Sequence, residues 1–269
     1  MSEREVVIRF RGVRKAFGPK VIYDGLDLDV FKGETLTIIG GSGMGKSVCL
    51  KMLIRLLKAD GGSITAFGEE ITTMSDDGLL GLRRRIAMLF QGAALFDSLT
   101  VAQNIKYPLV EHDWGTPEKR DARVAEVLEM VGMPGIQDLK PAELSGGMKK
   151  RVGLARAIAI QPDVILYDEP TTGLDPINVR RINGLILGLQ ERLGVTSIVV
   201  THDMDSCFTV TDRIAFLYDR KMGWVGTKDE AERADFPPLA EFVKGGRGVL
   251  ADDAADVMGA EKPGAERRT

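Results

Sequence analysis

The amino-acid sequence predicts an α/β fold with a mainly parallel sheet and one helical insertion. Three patterns carry that prediction: short apolar runs ending at glycine or at acids, amphipathic stretches that follow them, and a middle span with helices but no strong strand. Thr35–Ile39 is a short buried strand stopped by Gly40 and Gly41. Val48, Leu50, Leu53, Ile54 and Leu57 then recur at helical spacing until Asp60, Gly61 and Gly62 break the pattern. From about 92 to 160 the character changes: Pro117 and Glu118 open a helix through Met130, and Lys149–Ile160 reads as another. Val164–Tyr167 is a second buried strand, entered from Gln161 and Pro162 and ending at Asp168 and Glu169. Pro176 suits the first turn of a helix with the apolar stripe Ile182, Leu185, Ile186, Leu189 and Leu193, and Gly194 stops it. Ser197–Val200 is a third buried strand, running into Thr201 and His202.

Composition narrows the function classes. The 269 residues suffice for one large domain, and 44% hydrophobic with 28% charged residues excludes wholesale disorder. Lys plus Arg number 36 against 39 for Asp plus Glu, a net charge of −3 that argues against a nucleic-acid partner. Two Cys and two His can neither fill a zinc site alone nor form a disulfide framework, so a reducing, cytoplasmic setting is expected. Nowhere do 18 consecutive apolar residues occur, so any membrane role is expected to come through a partner. Residues 245–269 are Gly-rich, charged and without aromatics, and read as a tail; Val249, Leu250, Ala254, Val257 and Met258 within it fall near helical spacing.

Three motifs carry chemistry. Gly40, Gly41, Ser42, Gly43, Met44, Gly45, Lys46 and Ser47 match the phosphate-loop pattern G-x-x-x-x-G-K-[ST] between a strand and a helix. Its glycines let backbone N–H groups curl around phosphates, and the helix start adds a positive dipole end. Lys46 would reach the β- and γ-phosphates of ATP, and the Ser47 hydroxyl would ligate Mg²⁺. Asp168 and Glu169 end a strand at the carboxyl edge of the sheet, where α/β proteins bind ligands. One carboxylate would serve Mg²⁺ and the other the attacking water; taken alone, the pair equally suits a solvated turn or a helix cap. Leu144–Met148 precedes a basic helix start, Lys149–Arg151. Ser145, Gly146 and Gly147 there form a second anion-binding end, or an ordinary N-cap and turn. Two phosphate-binding ends with one nucleotide loop suggest that one end serves a neighbouring chain.

With these motifs the sequence resembles the ATP-binding-cassette (ABC) ATPase family over about residues 6 to 243. The phosphate loop, Gln91 after the strand-like Ile86–Phe90, Leu144–Met148, Asp168 and Glu169, Gly173–Asp175 and His202 stand in the family's order and approximate spacing. The resemblance implies a P-loop NTPase (RecA-like) core at about 1–91 and 161–244, with an N-terminal antiparallel β part and a helical subdomain at about 92–160. It further implies ATP hydrolysis in a head-to-tail homodimer in which Ser145, Gly146 and Gly147 contact the partner's ATP. Gln91 would touch Mg²⁺ and the water, Asp175 would speak across the dimer, and His202 would hold the γ-phosphate. Phe17 would stack on adenine. Taken from the residues alone, His202 also suits a satisfied core histidine and Phe17 plain packing, while His112 reads as a surface residue.

Two departures from the general family pattern point further. Met148 stands where the signature usually ends in Gln, and Met88–Val101, with Tyr107–His112, is unusually apolar after the Gln loop. Both are similar to the Mla/Mce group of ABC ATPases. That resemblance implies lipid transport with an MlaE-type integral membrane permease and an MCE lipid-binding protein, the chain lying peripherally on the cytoplasmic face of the inner membrane. The alternatives are an importer for another substrate, such as an amino acid, and a soluble ATPase of the iron–sulfur assembly kind. Leu95, Phe96 or Leu99 is expected to line an apolar groove for the permease.

Overall fold

The computed structural model describes residues 4–246. Two long strands, β1 (Val6–Phe17) and β2 (Lys20–Phe31), form an antiparallel hairpin, turning at Gly18 with φ of 55°. With β4 (Gly61–Ala66) and the short β5 (Glu69–Glu70) they make a four-stranded sheet in the order β2-β1-β4-β5.

The second sheet organises the molecule. It comprises β3 (Thr35–Gly40), β6 (Ile86–Leu89), β7 (Val164–Asp168), β8 (Thr196–Val200), β9 (Arg213–Tyr218) and β10 (Lys221–Thr227), in the order β10-β9-β3-β8-β7-β6. All its pairings are parallel except that of β9 with β10. Strands β3, β7 and β8 are buried along their whole length, which is why each reads as a continuous apolar run.

Alternation along these strands sends their side chains to the two faces of the sheet. Leu36, Ile38, Leu166, Ile198 and Val200 face helix α1 (Lys46–Leu53) and the N-terminal sheet, where Ile8, Phe10, Leu26, Leu50 and Leu53 complete one cluster. Ile165, Tyr167 and Val199 face the opposite way, toward α6 (Pro176–Leu193) and the helical insertion. That insertion contains α3 (Val101–Glu111), α4 (Pro117–Met130) and α5 (Gly146–Ala159). Ile105, Leu109, Val127, Leu128, Val152 and Ile158 pack them together.

The remaining helices are α2 (Asp76–Arg85), α7 (Met204–Val210), α8 (Lys228–Glu232) and α9 (Pro237–Gly246). The parallel sheet has the expected α/β architecture with an N-terminal antiparallel part and inserted helices. Helix α1 is shorter than the apolar spacing through Leu57 predicts: it ends at Leu53, and Arg55 takes a left-handed backbone with φ of 55°. Helix α3 carries no helical reading in the sequence; Thr100 and Gln103 form a reciprocal capping box at its start. Helix α9 takes in Gly245 and Gly246, and the apolar spacing from Val249 to Met258 lies outside the described residues.

Candidate functional site

Because β3, β7 and β8 run parallel, their carboxyl ends bring Gly40, Asp168 and the Thr201–His202 turn to one edge of the sheet. Gly40 adopts φ of 151°, and a Cβ there would meet the Leu217 carbonyl oxygen at 2.7 Å. Gly45 has φ of 103°, and its missing side chain makes room for Ile22, whose Cγ2 would lie 2.3 Å from a Cβ. The N-terminal hairpin thus seats directly on the loop, and the Tyr23 hydroxyl donates to the Gly45 carbonyl at 2.5 Å.

The loop ends in α1. Lys46 is buried, and its ammonium donates to the carbonyls of Gly40 at 2.8 Å and Gly41 at 3.1 Å. Burial pulls its pKa below the ordinary lysine value, while the charges of Glu169 and Asp168 oppose that shift. The Ser47 hydroxyl donates to Asp168 Oδ1 at 2.5 Å.

Glu169 has left-handed backbone, φ of 50°, and its amide donates to the Val200 carbonyl. Its side chain is only 12% exposed. Oε2 accepts from the Thr172 hydroxyl at 2.8 Å and stands 2.9 Å from His202 Nδ1. His202 is 62% exposed, which excludes the core-histidine reading.

These groups surround a cavity of about 580 Å³ lined by Ser42, Gly43, Lys46, Gln91, Glu169 and His202, with Ile22 on one wall. Gly41 and Met44 face an adjoining cavity that shares His202.

Five predicted residues stand elsewhere. Ser145 caps α5, accepting from the Met148 amide at 3.3 Å, and neither it nor Gly146 or Gly147 lines the cavity of its own chain. Asp175 caps α6 through the amides of Ile177 and Asn178, and these hydrogen bonds hold its carboxyl below the ordinary aspartate range. Its other oxygen accepts from the Asn178 side chain, which packs where a Cβ of Gly147 would be, 2.7 Å from Cγ. The starts of α5 and α6 are therefore fitted to each other. Phe17 ends β1, 45% exposed, with the Lys15 ammonium 5.1 Å from its ring centre. Met148 packs its side chain against the helical core.

A groove of about 320 Å³ lies between β6 and the insertion, lined by Phe90, Phe96, Tyr107, His112 and Arg156 among others. Phe96 is 43% exposed and meets Tyr107 at 4.9 Å between ring centres, whereas Leu95 packs into the helical core. His112 is not a plain surface residue: it is half-buried in this groove, and burial lowers its pKa, assisted by Arg84.

Against this geometry, the ABC transporter family model matches residues 23–172. The chain belongs to the ABC transporter ATPase family. The intermembrane phospholipid transport system ATP-binding protein MlaF of Haemophilus influenzae is 40% identical over 229 residues, 85% of this chain and 86% of that protein. The methionine import ATP-binding protein MetN of Brucella abortus is 43% identical over 78% of this chain but 57% of its own length. A dimeric ATP-binding cassette in a post-hydrolysis state, bound to ADP and Pi, superposes with a TM-score of 0.76 at 32% identity, covering 82% of this chain and 98% of that one. This ABC transporter ATPase accordingly binds and hydrolyses ATP. Among the described residues no helix is long and apolar enough to cross a membrane.

Sequence reasoning missed Tyr23, Thr172 and Lys150 in the site. Tyr23 and Thr172 lack a spacing signature, because each acts on a neighbour reached only through the fold. Lys150 is visible as part of a basic helix, but nothing in that pattern shows its burial.

Proposed function

We propose that this chain energises phospholipid transport, as one of two identical ATPase subunits on the cytoplasmic face of a membrane permease. The observation that carries the reading is the similarity to MlaF across 85% of this chain and 86% of that protein. The similarity to MetN leaves a large part of that longer protein unmatched. The apolar groove with exposed Phe96 supports a membrane partner over soluble scaffolds, and a lipid-binding MCE protein would complete the complex.

Within each site Lys46 would neutralise the β- and γ-phosphates, and the loop amides would hold them. The Ser47 hydroxyl and Asp168 carboxylate, already 2.5 Å apart, are hard oxygen donors of the kind Mg²⁺ takes. With Gln91 they would hold that ion, which supplies charge neutralisation on the phosphates. Glu169, with Oε2 committed to Thr172 and His202, would take a proton from the attacking water through its remaining oxygen. His202 would meet the γ-phosphate, and Phe17 would offer its exposed ring to adenine. The starts of α5 and α6, with Ser145, Gly146, Gly147 and Asp175, would close the partner's site.

The test is recruitment and cargo. Phe96→Asp places a carboxylate in this largely apolar groove, disfavouring docking by a few kcal/mol. Because Phe96 is exposed, the soluble variant is expected to stay folded and bind ATP while losing co-purification with the permease. Phospholipid in the wild-type complex supports the reading; another bound solute, or unchanged recruitment of the variant, contradicts it.

A further inference from the structure

Helix α5 carries a lysine that basic patterning alone would place in solvent. Lys150 is instead 5% exposed, and its ammonium donates to the backbone carbonyl of Glu169 at 3.0 Å. A buried ammonium is costly unless paired. Here the charges of Asp168 and Glu169 oppose the desolvation that lowers its pKa. Glu169 is a non-glycine residue held at φ of 50°, a conformation that persists only when its surroundings over-determine it. Five contacts do so: the Glu169 amide to Val200, its carboxylate to Thr172 and His202, and its carbonyl to the Thr172 amide and to the Lys150 ammonium. Only the last comes from the helical insertion.

We propose that Lys150 is a positioning residue for hydrolysis, its ammonium pinning the Glu169 carbonyl and so fixing the carboxylate of its own chain. The proposal rests on the composite-site reading in one respect. Helix α5 would then serve two sites at once, its first turn facing the partner's nucleotide and its second turn holding the catalytic carboxylate at home. Movement of α5 on closure of one site would be felt as a change of Glu169 geometry in the other. A misplacement of about 1 Å costs on the order of 10²-fold in rate, so a tether of this kind is enough to matter.

The experiment uses full-length heterodimers with one working site. One chain carries Lys46→Ala and its partner Ser145→Arg; the phosphate loop and Glu169 of the Ser145→Arg chain then work with α5 of the other. Lys150→Met is added to either chain. In the Ser145→Arg chain it is expected to slow hydrolysis by about ten- to hundredfold with ATP affinity unchanged, and Lys150→Arg is expected to restore most of the rate. In the Lys46→Ala chain, whose Glu169 is idle, the rate is expected to stay within about twofold. Equal slowing from either chain would show that Lys150 merely supports the helix facing the nucleotide, and no slowing from either would remove it from the mechanism. If the parent heterodimer is formed but inactive, the composite-site reading fails on its own. The homodimer then decides: a lower kcat with unchanged ATP affinity in Lys150→Met upholds the positioning role, and an unchanged kcat overturns it.

Discussion

Helices α1 and α5 both begin at glycine-rich turns, yet their surroundings differ. The α1 start has no side-chain cap, a left-handed Gly45, and a buried Lys46 facing Asp168 and Glu169. The α5 start is capped by its own Ser145, stands exposed, and turns its nearest buried cation, Lys150, inward. The first end holds cation, carboxylates and hydroxyl around one cavity; the second offers a hydroxyl, amides and a dipole, and none of Ser145, Gly146 and Gly147 lines that cavity. On the proposed reading, an end so furnished completes the site of the partner chain.

Changes at the first end should be the more severe. Glu169→Gln is expected to slow hydrolysis by about 10²–10⁴-fold while ATP binding persists, measured by turnover and by nucleotide titration. Unchanged turnover would remove Glu169 from the chemistry. At the second end, Ser145→Arg should lower turnover by about 10²-fold, the scale of losing one preorganised donor, without changing ATP affinity of the isolated chain. Weakened binding by the monomer would mean that α5 serves its own cavity.

Legibility in the sequence followed how locally each feature is specified. The phosphate loop, the Asp168–Glu169 pair and the span Pro176–Gly194 announce themselves because glycine, proline and acids occupy fixed positions relative to apolar runs. Helix α4 begins at Pro117, and the sequence says so. Helix α3 stayed hidden because Pro108 within it reads as a breaker. It persists because Asn104, buried in it, donates to the carbonyls of Phe96, Leu99 and Thr100 and binds the preceding loop to the helix. Lys150 and Thr172 were illegible for the same reason: their partner, Glu169, is brought to them by the sheet.

Glycine sharpens the contrast at smaller cost. Gly147→Ala would press on Asn178, an overpacking expected to cost about 1–3 kcal/mol in thermal unfolding. Asn178→Ala added to it should recover part of the loss; no recovery would show that the two helix starts are not fitted through that contact. The smallest effect belongs to the cap itself. Ser145→Ala should cost ~1 kcal/mol of stability by denaturant titration, leaving ATP affinity of the isolated chain untouched.

The central claim is that the α5 start of one chain meets the phosphate loop of the other across ATP. The native cysteines, Cys49 and Cys207, are both buried, so introduced thiols on the surface can be read cleanly. Ser42 lines the nucleotide cavity and Ser145 is exposed at the α5 start. A chain with Ser42→Cys, Ser145→Cys and Glu169→Gln, treated with a short bis-maleimide, is expected to give a covalent dimer with ATP and little without it. Cross-linking within single chains, or a dimer yield indifferent to ATP, would contradict the account.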